Sequence, residues 1–410
     1  MTAFAYYRLP YLHHATFVAQ HEGKPEVLTS VAELNGKEGF VIAPFSPSSD
    51  CPVLLIHSDE KRLIAVGTEK MTAGLSDENS ELESDEKSDK ESDKESDKES
   101  DRKSYWKSDK ESYAKDFECF HKQLQKDAFR KIVLARIASD KSLKEVLGKN
   151  ILGKNIPGKN IPGKNIPGKK VQGKEEVSNA SACLKLFLRA CRMYPRLFVA
   201  LVYTPQSGMW LMATPEILLK GDGDEYSTMS LAGTQKAEPS PTVADYPVEG
   251  VEWSKKNREE QQYVTDYIEQ CVQAFASDYS LKGPYTTMAA NLYHLRTDIS
   301  FRLKDSSRLG DVLEKLYPTP AVCGIPKEET RRFILEHESQ PRKYYSGFVG
   351  PLSPLGKTHL FVSLRCMNIL EDGICQLYAG GGLLKESEME KEWRETEAKM
   401  QTIRNVIFNV

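Results

Sequence analysis

Two stretches of this chain cannot build a core, and they divide the part that can. From about Ser76 to Ser112 the sequence is dominated by Ser, Asp, Lys and Glu, with Ser-Asp-Lys-Glu repeated at Ser88, Ser92 and Ser96. Opposite charges nearly cancel within each repeat, which allows a transient helix, but the low hydrophobicity predicts a solvated, disordered arm. From Gly148 to about Lys174 the chain iterates Gly-Lys-Asn-Ile-Pro at Gly153, Gly158 and Gly163. A Pro and a Gly every five residues exclude helix and discourage sheet. Neither period falls in the range of stacked repeat units, so both segments read as insertions into loops of one pre-existing domain. The expected organisation is a β-rich N-terminal part over 1–75, a disordered insertion over 76–112, folded protein over 113–139 and 178–410, and a second disordered insertion over 140–177.

With 410 residues, 40% of them hydrophobic, the remainder can bury one large core or two ordinary ones. A net charge of -3 provides no basic field for nucleic acid or anionic lipid, so a small-molecule substrate is expected, with no nucleic-acid and no membrane partner. Eight cysteines form no CxxC pair, and the chain opens without a basic n-region and apolar h-region; reduced thiols in a cytoplasmic protein are the expectation. Apolar runs such as Leu197–Tyr203 are far shorter than the ~20 residues a bilayer span needs.

Short apolar runs separated by turn residues (Thr16–Ala19, Gly39–Ala43, Val53–Ile56) predict antiparallel strands in the first 70 residues. Further strands are predicted at Leu197–Tyr203, Met209–Ala213 and Ile217–Lys220, with hairpins at Tyr226–Leu231 and at His359–Ile369 into Ile374–Ala379. Amphipathic periodicity predicts helices near Tyr113–Phe129, Ser254–Ser277, Thr330–His337 and Ser387–Ile407. Hairpins with helices clustered between them argue for α+β rather than a doubly wound parallel sheet.

One helix is acidic on one face. Glu392 and Glu395 sit three apart, shortly after Gly380-Gly381-Gly382. Like charges at that spacing destabilise an isolated helix by roughly 0.2–0.5 kcal/mol, so a divalent metal or nearby cations would give a reason to keep them, against the plain alternative of a solvated acidic surface. In Lys131–Arg136, strand alternation sets Lys131, Val133 and Ala135 on one face and Ile132 and Leu134 on the other, so Lys131 either projects into a cavity or is simply exposed.

Several blocks recur together: Lys131–Arg136, Ala213-Thr-Pro-Glu216-Ile-Leu-Leu219, Ser230-Leu-Ala-Gly233-Thr234, Lys256-Asn-Arg-Glu-Glu260, Tyr293-His294-Leu-Arg296-Thr297, Tyr317–Gly324, Ser363-Leu-Arg365-Cys and Leu377–Gly382 through Glu395. Their order and spacing resemble the chorismate-binding enzymes, in particular the isochorismate synthase branch. The resemblance covers 113–139 and 178–410, and more loosely 1–70. It implies a layered α/β/β/α fold with large antiparallel sheets and a Mg²⁺ cofactor held by Glu260, Glu392 and Glu395, a hard cation with oxygen ligands. It implies Lys131 as the base that activates water and Glu216 as the general acid. A lysine base must shed its proton near neutrality and a glutamate acid must keep its own, and desolvation favours both.

The same resemblance implies that Arg365 pairs bidentately with a substrate carboxylate, a planar match. Gly233, Thr234, Gly380, Gly381 and Gly382 would line the anion cradle with backbone, and His294 would stand near the ring. Lys399, one turn after Glu395, either reaches the substrate or pairs with that glutamate. Lysine at 131 and alanine at 232 imply water as nucleophile, so no glutamine amidotransferase subunit is expected, and the assembly would be a monomer or homodimer. The implied activity is reversible isomerisation of chorismate to isochorismate, with menaquinone biosynthesis as the expected route. Salicylate synthase and a siderophore-pathway isochorismate synthase are the near alternatives, and a catalytically silent scaffold the distant one. Asn257, Gln261, Tyr317 and Gly381 depart from the family's usual residues; the first two remove outer-shell partners for a metal.

Overall fold

The structure is a computed structural model describing residues 1–66, 92–140, 173–236, 248–289 and 292–408. In chain order the elements begin with β1 (Ala3–Arg8), β2 (His14–Gln20), β3 (Glu26–Leu28), β4 (Gly39–Ala43), β5 (Val53–Ile56), β6 (Glu60–Ala65), α1 (Ser92–Gln125), β7 (Lys131–Asp140) and α2 (Gly173–Met193). Next come β8 (Phe198–Thr204), β9 (Gly208–Thr214), β10 (Ile217–Asp222), β11 (Glu225–Lys236), α3 (Lys255–Phe275), β12 (Ala276–Ala289) and β13 (Leu292–Leu303). The chain closes with α4 (Leu309–Leu316), β14 (Gly324–Ile325), α5 (Lys327–His337), β15 (Phe348–Leu352), β16 (Lys357–Val362), β17 (Cys366–Ile369), β18 (Cys375–Leu383) and α6 (Met389–Phe408).

The strands form two nine-stranded sheets, ordered β14-β7-β18-β17-β9-β8-β1-β2-β6 and β12-β13-β11-β10-β16-β15-β4-β5-β3. Every neighbouring pair is antiparallel. Residues 1–66 are not a separate unit, since β1, β2 and β6 join the first sheet and β3–β5 the second.

Three apolar layers hold the sheets and helices together. Ala5, Tyr7, Phe198 and Trp210 of the first sheet meet Phe40, Ile42, Leu54 and Phe361 of the second, with the Phe198 and Phe361 rings stacked at 4.1 Å. On the outside of the first sheet, Leu186 and Phe187 of α2 and Ile403 and Ile407 of α6 pack on Val199 and Leu377. On the outside of the second, Val264 and Ile268 of α3 and Leu313 of α4 pack on Leu219 and Ile299. The order is therefore α/β/β/α. A strand covered on both faces reads as a continuous apolar run, which is why Phe198–Val202 is Phe-Val-Ala-Leu-Val and wholly buried. Truncating Phe198 to Ala would cost about 3–5 kcal/mol, the usual range for a large core side chain.

Ser254 caps α3, its side chain accepting from the N–H of Asn257, as expected for a serine just ahead of the first turn. The predicted helices at 254–277, 330–337 and 387–407 correspond to α3, α5 and α6.

One expectation needs correction, and the two insertions meet the described residues only at their ends. α1 begins at Ser92, inside the segment read as an arm, and continues into Tyr113, Phe117 and Phe120, which are buried against Ile132, Leu134 and Trp393. Residues 76–91 lie outside the described part. The second insertion, 140–177, falls mostly outside it as well, at 141–172, but 173–177 already belongs to α2. The predicted strand His359–Ile369 is two strands in different sheets, because Arg365 takes φ 46°, a left-handed conformation that a pleated strand cannot continue through.

Among the described residues no helix is long and apolar enough to cross a membrane. All eight cysteines are free.

Candidate active site

The chain passes from the first sheet to the second at Pro215-Glu216, between β9 and β10, and back at Ser363–Arg365, between β16 and β17. The two crossovers are hydrogen-bonded to each other: Val362 N–H donates to the Glu216 carbonyl at 3.0 Å, and Ala213 N–H to the Arg365 carbonyl at 3.1 Å. Each places a charged residue between the sheets. Left-handed backbone at a non-glycine residue costs of order 1–2 kcal/mol, and at Arg365 the Ala213 hydrogen bond holds it in place.

Glu216 and Arg365 both line a cavity whose walls also include Gly233, Thr234, Glu260, His294, Gly380, Gly382 and Lys399. Ala232 lines it too. Of the residues expected at the site, Lys131, Gly381, Glu392 and Glu395 stand immediately behind this wall rather than in it. The connection runs through the glycines of β18, which pair with β7 in the register Gly380↔Ala135, Gly381↔Leu134 and Gly382↔Val133. A methyl group on Gly382 would collide with Glu260 Oε1 and lie 2.7 Å from Lys131 Cε. One on Gly381 would come within 3.3 Å of Glu392 Oε2 and 3.6 Å of Glu395 Oε1. Bare backbone is thus what lets three carboxylates and a lysine close on one strand.

Lys131 is fully buried. Its ammonium lies 3.0 Å from Glu260 Oε1, within ion-pair range, yet no acceptor is aligned for a hydrogen bond. Burial works to raise the Glu260 carboxyl, but the Lys131 and Lys256 ammonium groups outweigh it and hold it below the usual range. Glu216 behaves oppositely. Burial pushes it up to about 7, against the opposing pull of Lys131, Arg365 and Lys399, so it can carry a proton near neutrality.

Glu392 is 2% exposed and is also raised, by burial and by the neighbouring Glu395. Its Oε1 is ion-paired to Lys256, while Oε2 is buried and takes no hydrogen bond. Lys399 donates to Glu395 Oε1 at 2.7 Å and to the Gly380 carbonyl at 2.8 Å, so it makes the pair with Glu395 while still lining the cavity.

His294 Nδ1 lies 2.9 Å from the Gly233 carbonyl, and its Nε2 lies 3.2 Å from Arg365 Nη2. A carbonyl only accepts and a guanidinium only donates, so the imidazole is neutral with its proton on Nδ1. Burial, then the Arg365 and Lys399 charges, keep it unprotonated down to about 3.

Glu392 and Glu395 gather at Gly381 and Glu260 at Gly382, but among the described residues no group of three or more His, Cys, Asp or Glu forms a metal cluster. The donors nonetheless suit a hard divalent cation: two adjacent carboxylates of α6, one with an orphaned buried oxygen, facing a glycine strand with no side chain in the way.

The departures from the family pattern have structural partners. Gln261 donates from Nε2 to Ser230 Oγ at 2.8 Å and Thr297 Oγ1 at 3.2 Å, bracing β11 against β13. Asn257 backs Gly233, where an added methyl would come 3.2 Å from its Cβ. The Tyr317 hydroxyl lies 2.8 Å from the Pro44 carbonyl and 2.7 Å from that of Ser346.

Sequence reasoning missed Tyr345 and Tyr378, which line the cavity, and gave Lys256 no role. Tyr345 carries no sequence signal, since Tyr344-Tyr345 reads as core; Lys256 reads as a solvated residue of a first helical turn.

Residues 175–408 match the family described as "Chorismate binding enzyme". Curated relatives include the isochorismate synthase EntC of Escherichia coli (strain K12), 30% identical over 200 residues, 48% of this chain and 51% of the relative. They also include MenF of the same strain, 32% identical over 200 residues, 48% of this chain and 45% of the relative. The chain spans about half the length of the curated relatives it matches. Among solved structures, a putative 2,3-dihydroxybenzoate-specific isochorismate synthase, DhbC from Bacillus anthracis, superposes with TM-score 0.67 at 19% identity over 99% of this chain and 96% of that one. The menaquinone-specific isochorismate synthase MenF from Escherichia coli gives 0.65 at 19% identity over 99% and 88%. At that identity these two establish the fold alone.

Proposed function

The chain belongs to the chorismate-binding enzymes, and from that membership we propose that it is a cytoplasmic, Mg²⁺-dependent isochorismate synthase, reversibly isomerising chorismate to isochorismate. One observation carries the reading: a buried carboxyl raised to about 7, Glu216, lies in the field of a buried amine, Lys131, that has no aligned hydrogen-bond acceptor.

In the forward direction Lys131 takes a proton from the water whose oxygen bonds to C2 of the ring. Both ring double bonds shift by one position, from C1=C2 and C5=C6 to C1=C6 and C4=C5, the C4–oxygen bond breaks, and Glu216 gives its proton to the departing hydroxyl. One water enters and one leaves, and the roles exchange in reverse. Arg365, its guanidinium aimed by His294, suits the enolpyruvyl carboxylate as a two-pronged donor. Gly233, Thr234 and the glycines of β18 let backbone approach the ligand closely. Glu260, Glu392 and Glu395 would hold Mg²⁺, which supplies positive charge for the ring carboxylate. Water as the nucleophile makes an amidotransferase partner unnecessary. The MenF relatives support menaquinone biosynthesis as the destination of the product.

Incubating the protein with chorismate and Mg²⁺ and separating the products by chromatography tests the reading. Isochorismate in equilibrium with chorismate is expected. Salicylate with pyruvate would assign it to the salicylate synthases instead, and no conversion would reject it.

A further inference from the structure

Each of the three acidic residues expected to hold Mg²⁺ is paired with a lysine of the chain itself. Lys131 lies 3.0 Å from Glu260 and Lys399 2.7 Å from Glu395. Both also serve another purpose, Lys131 as the proposed base and Lys399 as a donor to the Gly380 carbonyl at the cavity wall. Lys256 does neither. It rises from the first turn of α3, one turn before Glu260, and forms a close ion pair with Glu392 Oε1. Glu260 and Glu395 act on the same ammonium, so a single lysine stands in the field of the whole acidic set. Its side chain is 27% exposed whereas that of Glu392 is 2% exposed, so the ammonium can withdraw toward solvent and the carboxylate cannot.

Two cations that draw on one carboxylate set repel each other, and the repulsion is strong where the groups are screened from water. We propose that Lys256 is a built-in competitor of the divalent cation for Glu392, so that the ion is held weakly and remains exchangeable. This rests on the Mg²⁺ reading of Glu260, Glu392 and Glu395. The opposite role, a lysine that positions Glu392 for the metal, predicts the opposite sign: loss of an outer-shell partner typically lowers metal affinity 10–100-fold.

The test is the dissociation constant of Mn²⁺, measured by calorimetry on the full chain for the wild type, Lys256→Met and Lys256→Arg, with melting temperatures at zero and saturating Mg²⁺. Lys256→Met is expected to bind Mn²⁺ about tenfold tighter or more, since it removes a like charge at close range, while Lys256→Arg stays near wild type. Without added metal Lys256→Met should melt lower, because three carboxylates lose a shared cation, and Mg²⁺ should restore it. Unchanged or weaker Mn²⁺ binding by a folded Lys256→Met overturns the competition. If that variant does not fold, Lys256→Gln provides the same comparison. Mn²⁺ binding to neither the wild type nor the variant overturns the Mg²⁺ reading itself, a result distinct from equal binding to both.

Discussion

Arg365 Nη2 lies 3.2 Å from His294 Nε2, and since a guanidinium can only donate, the nitrogen it faces is the unprotonated one. The imidazole should therefore give the NMR signature of the neutral Nδ1–H tautomer and show no titration from pH 8 down to about 4, its folded value being about 3. In the unfolded chain a histidine protonates near 6.5, so the stability contributed by neutral His294 is complete above that pH and is lost as pH falls through it toward 3. His294→Gln should flatten the acid side of the stability profile; an imidazole titrating near 6.5 would contradict the assignment.

Glu216 produces the reverse slope. Its folded value of about 7 lies above the ordinary 4.5, so the native state binds the proton more tightly and stability falls as pH rises from about 4.5 to about 7. Glu216→Gln should show little change in melting temperature at pH 4 and a gain by pH 8 of up to roughly 3 kcal/mol, since each tenfold difference in proton affinity is worth about 1.4 kcal/mol. Denaturant titrations of both proteins across that range measure it, and a gain that does not grow with pH would count against a buried acid.

The two glycines of β18 should differ sharply. A methyl on Gly381 comes no nearer than 3.3 Å to Glu392 Oε2 and 3.6 Å to Glu395 Oε1, which asks those carboxylates to shift by only a few tenths of an ångström. A methyl on Gly382 is driven into Glu260 Oε1 and Lys131 Cε, which are locked in an ion pair with each other, Lys131 being fully buried. Gly381→Ala should keep activity within a fewfold of wild type, and Gly382→Ala should lose on the order of 10²-fold, the effect of ångström-scale misplacement at a reacting centre. Comparable losses in steady-state assays of the two would refute this picture of the glycine strand.

Arg365→Ala should raise KM at least as much as it lowers kcat, because the carboxylate it is proposed to bind persists throughout the reaction. A fall in kcat alone would place Arg365 in the chemical step instead.

Much of this architecture could be read from residue order. Period 3.6 marked α3, α5 and α6, with boundaries that Ser254 and the turn residues set, and the block pattern brought out Glu216, Glu260, Arg365 and Glu395 together. The sheet crossovers could not be read: the break at Thr214-Pro215-Glu216 separates two strands without showing that they lie in different sheets, and Ser363-Leu364-Arg365 joins apolar runs that look continuous until the left-handed backbone at Arg365 and the tertiary pairing divide them. The β12–β13 hairpin escaped notice for another reason. β12 is an edge strand, exposed over Ser277–Lys282, and lacks the alternation that betrays a half-buried strand. Lys256 was hidden because its partner Glu392 is 136 residues away, beyond the reach of any local pattern.

The most direct test is the rate of both half-reactions, chorismate to isochorismate and back, in Lys131→Ala and Glu216→Gln proteins supplied with Mg²⁺. If Lys131 and Glu216 are the base and acid, each substitution depresses the forward and reverse rates together, by roughly 10²–10⁴-fold, because each group serves in both directions. A folded Lys131→Ala protein that forms isochorismate at near wild-type rate would contradict the account.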